Sequence, residues 1–149
     1  MIKIICVGKI KEKYLTDLIN DYYKRINKYH KLEIIELKDS DIKREREDIL
    51  KYLKKTDYII SLCIEGRNLS TLEFKDKIEN LLNTSNSNIT FIIGGSDGLD
   101  EEIKRSSNEL LSFSKLTFPH GLFRGILLEQ IYRIFKIMNK ETYHKWKQV

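Results

Sequence analysis

Apolar residues along this chain gather in short runs, separated by longer stretches in which charged and apolar positions mix. The runs lie at 2–7 (IKIICV), 32–37 (LEIIEL), 58–64 (YIISLCI), 89–93 (ITFII) and 110–118 (LLSFSKLTF). Runs of this length, rich in Ile, Leu, Phe and Tyr, predict strands. Between them, 12–29, 41–55, 70–83 and 99–108 carry apolar residues at helical spacing, and 119–139 continues that pattern beyond the last run. Regular alternation of strand and helix predicts an α/β fold with a mostly parallel sheet covered by helices on both faces. With no internal repeat and no long linker, residues 1–149 read as one domain.

Local chemistry supports these boundaries. Ser70 and Thr71 stand where an N-cap is needed before LEFKDKIENLL, Asp100, Glu101 and Glu102 put acids at a positive helix start, and Pro119 suits a first helical turn. NTSNSN at 83–88 reads as a polar loop, and the mixed-charge KDSDIKREREDILKYLKK at 38–55 as a solvated helix. Composition adds little beyond this: 41% hydrophobic and 33% charged residues are ordinary for a globular chain, and a net charge of +5 leans toward an anionic partner. Cys6 and Cys63 sit in separate apolar runs with no C-x-x-C spacing, which predicts buried reduced thiols, no metal site and a cytoplasmic setting. No apolar stretch approaches the ~20 residues of a membrane span, and the opening MIKIICVGK is too short and strand-like for a signal peptide.

Ligands of open parallel sheets bind beyond the carboxyl ends of the strands. Three such ends carry unusual residues: SLCIEGRNLS, FIIGGSDGL and SFSKLTFPHG. Gly94-Gly95-Ser96-Asp97-Gly98 has neither the G-x-G-x-x-G spacing of a dinucleotide loop nor the G-x-x-x-x-G-K-[ST] spacing of a P-loop, so the usual nucleotide readings fail, while close approach to bare backbone stays open. On a helical wheel Phe123, Leu127, Leu128, Ile131, Ile134, Phe135 and Met138 of the last helix share one face, opposite Glu129, Arg133, Lys136 and Lys140. Arg124 falls on the apolar face. Two readings stand for it, snorkelling or pairing with a buried acid, or a role in function or at a subunit interface. His120, after a strand end, reads as a general base or a structural cap; His30 reads as a cap compensating a helix dipole; Tyr143, His144 and Trp146 form an aromatic tail that reads either as docking on a partner or as a patch on the chain's own surface.

Taken together, FIIGGSDGL, LSFSKLTFPHGLFRGILLEQIYRIFKI, the terminal YHK, the opening IKIICVGKIKEKY and the SLCIEGRNLS turn resemble the small SPOUT-superfamily methyltransferases of the RlmH type, the ribosomal RNA large subunit methyltransferase H family, over essentially the whole chain. Glycines at 121 and 125, a short segment between the second strand and second helix, and WKQV after YHK are departures. The resemblance implies a deep C-terminal trefoil knot, a rare exception to the rule against threaded chains. It implies bent S-adenosylmethionine bound in that knot, a homodimer, and methylation of N3 of a pseudouridine in 23S rRNA of the assembled ribosome. Carried over by position, the cofactor-binding residues are Leu62, Gly94, Gly95, Phe113, Ser114, Lys115, Leu116, Thr117 and Phe118, with Gly94 and Gly95 exposing backbone to the adenosyl group. The catalytic set falls on His120, Arg124, Glu129, Tyr143 and His144. No membrane and no metal partner is implied. Two rivals belong to other classes: a non-catalytic ribosome- or rRNA-binding factor with the same fold, and a nucleotide-binding regulator, against which the missing phosphate-loop spacings weigh.

Overall fold

A computed structural model describes residues 1–84 and 88–144. The elements alternate as β1 (Ile2–Val7), α1 (Lys13–Asn27), β2 (Leu32–Leu37), α2 (Ile42–Leu50), β3 (Tyr58–Asn68), α3 (Thr71–Thr84), β4 (Ile89–Ile93), α4 (Glu101–Ser106), β5 (Glu109–Ser112) and α5 (His120–Met138). The strands form one sheet in the order β2-β1-β4-β3-β5, with every ladder parallel.

Side-chain alternation along β1 shows how the sheet acquires two covered faces. Ile2, Ile4 and Cys6 point into a core shared with α1, α3 and α5, whereas Ile5 and Val7 point into a second core with Ile49 of α2 and Ile103 of α4. A strand buried on both sides must be apolar throughout, which is why β1 and β4 read as unbroken runs. Lys3 is the exception. Its ammonium lies 3.0 Å from the carboxylate of Asp57, which satisfies a charge otherwise costly at 4% exposure.

The expected caps form. Ser70 Oγ accepts from the Glu73 amide at 3.1 Å and Glu73 accepts from the Ser70 amide at 2.9 Å, a reciprocal capping box, while Asp100 accepts from the Glu102 amide. Pro119 stands one residue outside α5 as its N-cap rather than within the first turn. The polar stretch 83–88 lies only partly within the described residues, and Trp146 lies outside them.

Other expectations are corrected. The last strand ends at Ser112 rather than 118, because the Ser112 hydroxyl donates to the Ser114 carbonyl and Ser114 Oγ accepts from the Leu116 amide, which turns the chain out of the ladder. β3 runs on to Asn68 because its pairing with β5 resumes at Arg67 after a shift from Leu62. Gly66 permits this return: a Cβ there would stand 2.6 Å from Leu111 backbone atoms. His30 is not a charged cap. Its ring stacks on Phe135 at 5.8 Å, and burial lowers its pKa. The apolar face of α5 is not left bare for another subunit. Leu127, Leu128, Ile131, Ile134 and Phe135 are buried in the chain's own core against α1 and α3. Among the described residues no helix is long and apolar enough to cross a membrane.

Candidate active site

The carboxyl ends of β3, β4 and β5 open onto a cavity of about 280 Å³, closed on one side by the start of α5. Leu62, Ile93 and Leu111 form its floor, while Phe113 and Phe118 pack on Phe123 of α5 at ring separations of 5.2 and 6.2 Å. The peptide groups of 113–118 belong to neither helix nor strand. Apolar walls beside backbone free of a ladder suit a flat heteroaromatic ring that needs both stacking and edge hydrogen bonds.

Of the sequence-derived cofactor residues, Leu62, Gly94, Gly95, Phe113, Ser114, Leu116, Thr117 and Phe118 line this cavity. Lys115 does not; it is exposed. Gly94 and Gly95 line the wall, but the reason for glycine is internal. A Cβ on Gly94 would stand 2.6 Å from the Gly98 carbonyl oxygen, and one on Gly95 would crowd Val7 at 3.1 Å and Asp39 at 3.2 Å. The pair therefore closes the tight loop 94–98, held by the Gly98 amide donating to the Gly95 carbonyl, with Gly98 at φ +78°. The site reaches farther toward α4 than the sequence patterns indicated: Cys63, Glu65 and Lys104 also line it, with Glu65 and Lys104 ion-paired. Cys63 is thus half-buried at a cavity rather than sealed in the core, and burial raises its pKa. The hydrogen bond to Lys104 lowers the pKa of Glu65, and the same bond raises that of Lys104.

The sequence-derived catalytic residues fall into three places. His120 lines the cavity, with its Nδ1 buried and unpartnered among the described residues. Arg124 is 2% exposed behind it, donating to Glu36 Oε2 at 2.7 Å and to the Gly8 carbonyl at 2.9 Å. Gly8 is held at φ +103°, and a Cβ there would strike His120 Cε1 at 2.6 Å, so this turn, Arg124 and the histidine are packed as one unit. Glu129, Tyr143 and His144 are elsewhere. Glu129 accepts from Arg133 at 2.6 Å, Tyr143 lies under the Arg133 guanidinium at 4.8 Å and His144 Nδ1 lies 3.1 Å from Arg133 Nη1. From His120 to Arg133 the helix rises about 20 Å. Within one chain this second cluster is therefore remote from the cavity. Among the described residues no three His, Cys, Asp or Glu side chains converge as a metal site.

Comparison with known proteins accords with this geometry. The family model described as "Predicted SPOUT methyltransferase" matches residues 1–144. Two Clostridium botulinum proteins named ribosomal RNA large subunit methyltransferase H, from strains 657 and Hall, are 49% and 48% identical to this chain, each alignment covering 97% of it and 99% of the relative. Among solved structures, one described as a "probable methylase family protein" from Haemophilus influenzae superposes with a TM-score of 0.58 at 11% identity, covering 99% of this chain and 72% of the other. One described as a "Probable Methyltransferase" from Bordetella pertussis gives 0.56 at 7% identity, covering 90% and 93%. At such identities the likeness speaks for the fold. A match over nearly the full chain, on an all-parallel sheet with the expected strand-end cavity, means that this chain belongs to the SPOUT methyltransferase family.

Proposed function

We propose that this protein is an S-adenosylmethionine-dependent methyltransferase of ribosomal RNA, acting as a homodimer on N3 of a pseudouridine in 23S rRNA of the assembled ribosome. The observation that carries the reading is the cavity at the β3, β4 and β5 ends, with apolar and aromatic walls, no phosphate-loop spacing and a histidine at its edge. The names of relatives at about half identity supply the substrate class.

When bound, S-adenosylmethionine supplies a methyl group made electrophilic by a sulfonium. The protein's share is alignment, exclusion of water and management of one proton. The aromatic set Phe113, Phe118 and Phe123 holds an adenine ring, and the loop 113–118 offers peptide edges to it. An N3 imide must lose its proton as the new N–C bond forms. His120 borders the cavity, with its Nδ1 buried against the Gly8 turn, and is the titratable side chain placed to receive that proton through its remaining ring nitrogen. Arg124 holds the Gly8 turn against the histidine and so positions it.

The dimer is supported by two features. The Glu129–Arg133–Tyr143–His144 cluster is too far along α5 to join His120 of the same chain, and Leu116 and Leu122, 71% and 39% exposed, leave apolar surface beside the cavity. Calorimetric titration with S-adenosylmethionine followed by methyl transfer to assembled ribosomes tests the proposal. Saturable binding and transfer to ribosomes in preference to naked hairpin RNA is the expected result. Ribosome binding without cofactor binding makes the protein a non-catalytic factor, and equal transfer to the hairpin removes the assembled particle as substrate. Affinity for the particle falls with salt, as phosphate contacts by a +5 chain require.

A further inference from the structure

The walls of the cavity are chemically uneven. The β5–α5 side is aromatic, whereas the β3–α4 side holds, among the described residues, the cavity's one carboxylate, Glu65, and its one ammonium, Lys104. The register break in β3 between Leu62 and Arg67 lifts Glu65 out of the ladder, and the last turn of α4 brings Lys104 to meet it. Lys104 is held from a second direction by Glu101 at 3.4 Å, outside the cavity lining. Its side chain is only 18% exposed, while that of Glu65 is 54% exposed. An ammonium fixed by burial and a second acid faces a carboxylate free to swing.

We propose that Glu65 and Lys104 grip the α-amino-acid end of S-adenosylmethionine, Lys104 taking its carboxylate and Glu65 its ammonium. A zwitterion needs one group of each sign a few ångströms apart, and an existing ion pair opens to admit it by exchanging one pairing for two. The adenosyl end then lies toward Phe113 and Phe118, which orders the ligand along the cavity. Two acids around one lysine leave this end net negative, matching a ligand that carries a sulfonium beside its zwitterion. The inference rests on reading the cavity as the S-adenosylmethionine site.

The test is calorimetric titration of the wild type, Glu65→Gln and Lys104→Met with three ligands: S-adenosylmethionine, S-adenosylhomocysteine, and 5′-methylthioadenosine, which lacks the amino-acid end. Each variant is expected to lose about tenfold in affinity for the first two and to bind the third as the wild type does. Unchanged affinity for S-adenosylmethionine, or an equal loss for methylthioadenosine, overturns the assignment while leaving the cavity's identity intact. A wild-type protein that binds none of the three overturns both. Glu65→Gln preserves shape at an exposed position and carries the test should Lys104→Met fail to fold.

Discussion

Arg124 stands in the first turns of α5 at 2% exposure, a position where an unpaired guanidinium is costly. Glu36 on the edge strand β2 and the carbonyl of Gly8 accept from its Nη1 and Nη2, while Nε stays buried without a partner among the described residues. The helical wheel placed the arginine on the apolar face and left two readings open, pairing or interface. The structure supplies the pair, and the sequence could not, because Glu36 looks like any solvent-side residue of an alternating strand until β2 is set beside β1. Arg124→Met removes both bonds and leaves the Gly8 carbonyl buried. Because Glu36 keeps partial contact with water, the expected loss is about 2 kcal/mol in urea unfolding rather than the larger figure for a fully sealed pair. A loss below about 0.5 kcal/mol would mean that the pair contributes nothing net. Gly94 carries a related lesson. Its need for glycine was legible, but the carbonyl of Gly98 across its own loop already requires it, so Gly94→Val disturbs loop closure as well as the cavity wall.

At the scale of elements, strands and helices were legible wherever periodicity and caps agreed. α3 is the clearest case, with Ser70 and Glu73 closing its first turn reciprocally. Ser70→Ala deletes one of the two bonds and is expected to lower stability by about 1 kcal/mol, read as a shift in the unfolding midpoint at unchanged slope. Thr71 begins the helix rather than capping it, and its hydroxyl donates instead to Gln130 Oε1 of α5 at 2.8 Å. The patterns misled at β5, where apolar residues through Phe118 continue past the last ladder bond. Phe113 and Phe118 are apolar because they face the cavity and Phe123 of α5, and periodicity cannot separate such a half-buried loop from a strand. The patterns also gave no sign of the β3 break that carries Glu65, since a register shift depends on which strand becomes the neighbour.

At the scale of the whole molecule, the fold class followed from strand–helix alternation, while the separation of the sequence-derived catalytic residues into distant places along α5 did not. The inward apolar face of α5 suggested a subunit interface and proved to be the chain's own core. What now favours two subunits is distance, since His120 opens α5 while His144, beyond the helix end, lies against Arg133 about 20 Å along it. Mixing inactive His120→Ala and His144→Ala proteins under subunit exchange is expected to restore about a quarter of wild-type activity, because half of the dimers are mixed and each has one intact site. Continued inactivity after demonstrated exchange would assign both groups to one chain. The strand order has a further bearing, on how the chain comes to be folded at all. β3 borders only β4 and β5, both made after it, and β1 gains its second neighbour only when β4 appears. As the chain is synthesised, Ile59, Ile60 and Leu62 of β3 therefore wait with no strand to pair with until residues 89–93 have emerged. Assembly of the sheet is late, non-local and slow, and its sticky precursor is the length of chain that ends before β4.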